Sequence, residues 1–243
     1  MVKHLLQVGL LFTLLTGCTG YVVEDDGVCY TYVDHNLKRV KKLLAGADPK
    51  TFEVLDNDDY GKDVNLVFYE GQQVLGADAG SFEFVGDLYA KDKFRAFYAG
   101  DSITSSNSHG FRIIDSYYSS DHKDAYCVTE PLHLCSPANF ELIPLASGES
   151  GFGRWATDGC WYYFRHFKIP SEDYAKVELV RGSAGFAKDK NWVYHLDRKI
   201  NFRDSVQILD TVDAATFRVT NYIDCKDKFG RINPYHGREP CED

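Results

Sequence analysis

Large apolar side chains return along this chain at fixed distances from an aspartate. The aspartates are Asp26, Asp63, Asp92, Asp121, Asp158, Asp189 and Asp227, spaced between 29 and 38 residues apart. Three residues before them stand Tyr60, Tyr89, Tyr118, Trp155 and Phe186, and five after them Phe68, Phe97, Tyr126, Tyr163 and Tyr194. Eleven residues after them come Leu37, Val74, Ile103, Leu132, Ile169 and Ile200. Eight further on, a second column opens with Phe82, Phe111, Phe140 and Val177. Columns at constant offset mark an internal repeat, and a repeat settles the architecture before any single motif is weighed.

Stretches such as Leu66-Val67-Phe68-Tyr69 and Trp192-Val193-Tyr194 carry β-branched and aromatic residues suited to a pleated surface. Lys188-Asp189-Lys190-Asn191 supplies turn chemistry, and Gly71, Gly100 and Asp197 mark the next turn. The segments Asp48 to Phe52 and Asp213 to Phe217 share the pattern Asp-x-x-Thr-Phe and add a further short strand or two to each hairpin. The pattern predicts an all-β chain, a tandem repeat of about seven short β-hairpin units in a stacked or coiled array. A propeller-like closed ring is the alternative. One hairpin cannot bury its aromatic face alone, whereas stacked units can. The last unit is degenerate, with Arg238 in the aliphatic column. Helical spacing shows only at Asn36 to Ala45, with Lys38, Arg39, Lys41 and Lys42 as a basic face.

The amino terminus reads as a signal peptide over residues 1–17, with Lys3 ahead of the apolar run Leu5 to Leu15. That run is too short to span a bilayer as a helix. It ends in Leu15-Thr16-Gly17-Cys18, which resembles a bacterial lipobox, with Cys18 the lipidated residue after cleavage. Residues 18–25 then form a lipidated tether and 26–243 the repeat domain. More than one acyl chain makes such an anchor stable. Thr19, a non-aspartate after the cysteine, is compatible with sorting to an outer membrane where the host has one.

With 44% hydrophobic and 14% aromatic residues the chain can bury a core. Its net charge of −9 argues against nucleic acid and against electrostatic attachment to anionic lipid, leaving the acyl chains to do the anchoring. Setting Cys18 aside, Cys29, Cys127, Cys135, Cys160, Cys225 and Cys241 are disulfide candidates in an exported chain. Cys127 with Cys135, flanking a turn at Glu130-Pro131, and Cys225 with Cys241 are the local pairings, which leaves Cys29 with Cys160. No Cys-x-x-Cys occurs, and His122 and His133 form no compact ligand pair, so no metal site is expected.

The aspartate column could form a calcium ladder, but Lys62, Lys91, Lys188 and Lys226 directly before four of its members oppose a cation. Turn closure by each aspartate's own side chain is the expected role. Gly148 to Gly153 fails as a nucleophile elbow because Phe152 takes the second glycine position. The histidines are scattered, and no catalytic residues are assigned. Arg154, Trp155, Trp161, Tyr163 and Arg165 form the one candidate binding patch, because consecutive aromatics on a strand must place rings on both faces. The alternative is that these rings fill the core and the contact with the next unit.

These columns resemble the DKNYY repeat family of bacterial, mostly lipid-anchored, proteins. The matching runs are Tyr89-Ala90-Lys91-Asp92-Lys93 through Tyr98, and Phe186 through Tyr194. Ser120 and Thr157 depart from it where lysine belongs. The resemblance implies an architecture and a cell-envelope address, with no assigned activity, catalytic residue or cofactor. The expected role is a non-enzymatic binding or structural module, attached to the membrane by its lipid, with a protein or glycan partner and no nucleic acid. An envelope hydrolase, or an inhibitor or immunity lipoprotein with one protein partner, is the alternative.

Overall fold

Turn formers recur so often that, after the first sheet, the central strands of each four-stranded sheet run only three or four residues, and each repeat closes into its own small antiparallel sheet. The computed structural model describes residues 19–145, 153–203, 209–221, 223–233 and 237–239. In the second repeat, Glu53–Val54, Tyr60–Lys62, Val67–Tyr69 and Gln72–Gln73 pair in sequence order as a four-stranded meander. The same order recurs in sheets spanning residues 83–102, 112–131, 141–168, 178–199 and 218–239. The first sheet is three-stranded, from Gly20–Glu24, Gly27–Val33 and Arg39–Leu43, and a two-stranded ribbon pairs Asn201–Arg203 with Leu209–Thr211. Among the described residues no sheet closes into a barrel, and helix is limited to the 3₁₀ turns Pro137–Asn139 and Tyr174–Lys176. The expected all-β tandem repeat is the fold.

The turns follow the residues expected of them. The aspartate opens the central turn, as in Asp63 to Leu66 between paired Lys62 and Val67. The next turn starts with a left-handed residue at Glu70, Ala99, Val128, Arg165 or Leu196. Gly71 follows Glu70 at φ +72, where a Cβ would also lie 2.5 Å from Tyr30 Cβ, so only glycine fits.

Four expectations at the residue level are corrected. Asn36 to Ala45 is no helix: Arg39–Leu43 pairs with Cys29–Val33, and its apolar residues serve the alternation of a strand. Leu37 sits in the tip of that hairpin at φ 60 and is 87% exposed, so it does not belong to the aliphatic column. The buried occupant is Leu44, whose N–H donates to Val28 O, as Val74 N–H donates to Val67 O and Ile103 N–H to Ala96 O. Glu130–Pro131 is a strand opposite Tyr126 and Cys127, and the turn lies two residues earlier at Val128. The tether over residues 18–25 is largely strand, because Tyr21 packs edge-on against Tyr30 and tilted against Phe52 and holds Gly20–Glu24 in the sheet. The signal peptide, Cys18 and residues 148–152 lie outside the described residues.

Two compact units are distinguished, residues 1–80 and 81–243, and each has its own layers. In the first, Val28, Tyr30 and Leu44 of one sheet meet Phe68 of the next, with Phe52 and Leu66 beside them. In the second, Tyr89, Ala96 and Ile103 meet Phe111 and Tyr126, and Tyr118, Ala125 and Leu132 meet Ala156 and Tyr163. Trp155, Phe164 and Ile169 then meet Ala187 and Tyr194, and Phe186, Val193 and Ile200 meet Phe217, Cys225 and Ile232. Within the second unit the rule is constant: the aromatic before Asp92, Asp121, Asp158 and Asp189, and the aliphatic eleven residues after each, face the following sheet. Each fully buried side chain of this size contributes roughly 1.5–3 kcal/mol.

A small-residue column makes that contact fit. Two residues before the aspartate stand Gly61, Ala90, Ser119, Ala156 and Ala187, each directly opposite an aromatic of the neighbouring strand. A Cβ on Gly61 would lie 2.5 Å from Phe52 Cζ. The lysine before the aspartate reaches across the sheet edge, pairing Lys62 with Glu53, Lys91 with Glu83 and Lys188 with Glu178. Where lysine is missing, Ser120 accepts from Arg112 Nε at 2.9 Å and Thr157 bonds the Tyr174 hydroxyl at 2.9 Å.

On the last sheet the outward columns change character. Asp224 replaces the aromatic and Arg231 the small or aliphatic residue, and their side chains pair at 2.9 Å. Register places Arg218, Lys226 and Arg231 side by side on that face, opposite to the one that buries Cys225 and Ile232.

Candidate functional site

The aspartate column does what its turn chemistry predicts, and more. One carboxylate oxygen closes its own turn: Asp63 Oδ1 accepts from Asn65 and Leu66 N–H at 2.7 Å, and Asp158 Oδ1 from Cys160 and Trp161 N–H at 2.9 and 2.8 Å. The other oxygen reaches a preceding segment, accepting the N–H of Asp48 at Asp63, Asn107 at Asp121, Cys135 at Asp158 and Asp213 at Asp227. In three repeats it also accepts the hydroxyl of the tyrosine five residues on, from Tyr126, Tyr163 and Tyr194 at 2.8, 2.8 and 2.6 Å. Burial works to raise the pKa of Asp63, Asp121, Asp158 and Asp189, but these donors outweigh it and hold all four below the ordinary carboxylate value. Asp213 is held at about 2, first by Lys228 at 2.6 Å and then by Thr216.

Asp158 also explains the disulfide. By accepting from the backbones of both Cys135 and Cys160, it brings their α-carbons to 6.4 Å, and the two sulfurs are bonded. This replaces the expected pairs Cys127 with Cys135 and Cys29 with Cys160. Cys29, Cys127 and Cys225 are buried thiols, Cys127 in the layer with Tyr118, and Cys225 donating to Ile232 O at 3.2 Å. Burial pushes the Cys127 thiol up to about 11 and the Cys225 thiol up to about 12. Cys241 lies outside the described residues. Among the described residues, Cys135, Asp158 and Cys160 also form the one grouping with metal-ligand proximity, but their sulfurs are spent on each other.

The expected aromatic patch is taken apart. Trp155 and Tyr163 are 2% and 0% exposed and face different layers, because neighbouring residues of paired strands alternate faces. Arg154 is tied to Asp115 at 2.9 Å, and Arg165 occupies a left-handed turn position. Of the five, Trp161 alone offers a ring near the surface, with Lys168 Nζ 4.0 Å from its centre.

The next repeat carries the same pair, with Lys199 Nζ 4.9 Å from the Trp192 ring, and here the surface opens into a groove of about 190 Å³. The Asp189 turn supplies one wall with Lys190, Asn191 and Trp192, and the segment Glu172–Lys176 supplies the other. Asp189 and Tyr194 are committed to each other, and Lys176 to Asp173. Burial and the Asp189 contact push the Tyr194 hydroxyl up to about 12. Glu172, 92% exposed, lies 3.4 Å from Lys199, and Lys190 and Asn191 are exposed at the rim. The groove therefore offers an indole, an amide and charges of both signs, which suits a polar partner. None of the five expected patch residues lines this groove; Trp161 is only the counterpart of Trp192 one repeat earlier. The signal for the pair was in the sequence: tryptophan three residues, and lysine ten residues, after Asp158 and again after Asp189.

Among the described residues no helix is long and apolar enough to cross a membrane. No curated protein and no solved structure matches the chain. The profile of the DKNYY family matches residues 18–101 and again 89–230, two overlapping stretches that together take in all seven aspartates of the column. With its sheets, its aspartate turns and this match in agreement, the chain belongs to the DKNYY family.

Proposed function

We propose that this protein is a lipid-anchored component of the bacterial cell envelope that acts as a non-enzymatic binding module. The anchor is Cys18, supported by Lys3, the apolar run Leu5 to Leu15 and the small residues Thr16 and Gly17 before the cysteine. A non-aspartate at Thr19 favours the outer membrane where the host has one. The binding role is carried by one observation, the groove beside Trp192 and Lys199, where a half-buried indole, an exposed amide and charges of both signs line one opening. Its partner is a glycan or the polar side chains of a protein.

The test is crosslinking in native membranes followed by identification of what is bound. Trp192→Ala, with Lys190→Glu as a second variant, is expected to lose the partner while leaving thermal unfolding within about 1 kcal/mol of the parent. Retained crosslinking in both variants would remove the groove from the reading. Cys18→Ala is expected to abolish acyl labelling and to release the chain from the membrane fraction.

A further inference from the structure

The first sheet differs from those that follow it. Its face bearing Val28 and Tyr30 packs on the second sheet, and alternation puts Val22, Cys29, Val33, Arg39, Lys41 and Leu43 on the other. Register aligns Val22, Cys29 and Leu43 in one row across all three strands. Cys29 is buried, but Val22, Val33 and Leu43 are 37%, 47% and 65% exposed. Leu43 lies over Gly27, within 2.9 Å of where a Cβ would stand. Glu24 shares this face and pairs with Lys41 at 2.6 Å, so that charge is met within the sheet.

What covers this face follows from its attachment. Its first strand begins at Gly20, so Thr19 alone separates it from Cys18. Across that interval even a fully extended chain reaches only about 7 Å. An acylated cysteine has its chains in the bilayer and its backbone at the headgroups, so the first sheet is held within a residue or two of that level. We infer that the outward face of the first sheet lies against the membrane surface, with Val22, Val33 and Leu43 in the interface. This rests on the proposed anchoring at Cys18. It gives the lipid a second task beyond retention, that of setting the orientation of the chain.

The test places tryptophan on the face. The lipidated full chain carrying L43W, and separately V33W, is reconstituted in phosphatidylcholine–phosphatidylglycerol vesicles containing brominated acyl chains. The added fluorescence, relative to the parent protein, is expected to dim by roughly half in both variants. A control L75W, at a position 78% exposed in the turn after the second sheet, is expected to keep its emission. Equal quenching at positions 43, 33 and 75, or none at 43 and 33, would overturn the orientation even if the chain floats with the vesicles. Protection of L43W from acrylamide without vesicles, rising with protein concentration, would overturn it in favour of a second copy on this face. Absence of an acyl group on Cys18, or failure of the parent to float, would instead refute the anchoring itself.

Discussion

At the residue scale, Asp158 concentrates most of what holds one repeat together: it is fully buried and accepts from three backbone N–H groups and one hydroxyl. Replacing Asp158 with Asn keeps one acceptor but turns an amide toward existing donors, and is expected to cost about 3 kcal/mol in urea unfolding. Tyr163→Phe removes only the hydroxyl contact and is expected to cost about 1 kcal/mol, since Phe68 and Phe97 already fill that position elsewhere. The four lowered carboxylates set a pH dependence. Their folded pKa lies below the unfolded value near 3.9, so their stabilisation is full above that value and is lost as pH falls through it toward the folded values. The urea midpoint should therefore drop between about pH 5 and about pH 3, and drop less in Asp158→Asn. The turn-closing oxygen was legible in the sequence because its partners lie two and three residues ahead. The second oxygen was not, because its partner stands 14, 15 or 23 residues back.

At the scale of elements, the strands, their order and their buried aromatics were legible because large rings at constant offset leave little else to do. The small column at Gly61, Ala90, Ser119, Ala156 and Ala187 was not, since small residues carry no hydrophobic signal until the ring opposite them is known. Ala156→Leu is expected to destabilise by about 2–3 kcal/mol although it adds apolar area, because Tyr163 leaves no room for it. The disulfide escaped pairing by proximity along the chain, because the carboxylate between the two cysteines brings them together. Its loop spans 25 residues, so reduction or a Cys135→Ala, Cys160→Ala double substitution should cost about 3.5 kcal/mol. Cys127→Ala should leave the response to reductant unchanged, and a loss of that response would mean the bridge is misassigned.

At the scale of the molecule, the family, the architecture and the repeated tryptophan–lysine pair could be read from periodicity, whereas the second wall of the groove could not. That wall is Glu172–Lys176, which stands 13 to 17 residues before the Asp189 turn it faces. The final sheet carries the feature with the widest consequence. Every preceding sheet of residues 81–199 offers its successor an aromatic and an aliphatic, and the last offers Asp224 and Arg231. Burying that pair would strip two charges of water for a contact with no matching partner. Restoring the repeat pattern with D224F and R231A is expected to produce dimers and longer species in analytical ultracentrifugation, where the parent does not assemble through this face. The chain can accordingly lengthen by duplication in its middle, where a spliced-in copy of residues 81–111 would find apolar neighbours on both sides. The same segment grafted after Asn233 would meet the charges of Asp224 and Arg231 and stay undocked, so the sequence of one face decides where a further copy can be accepted.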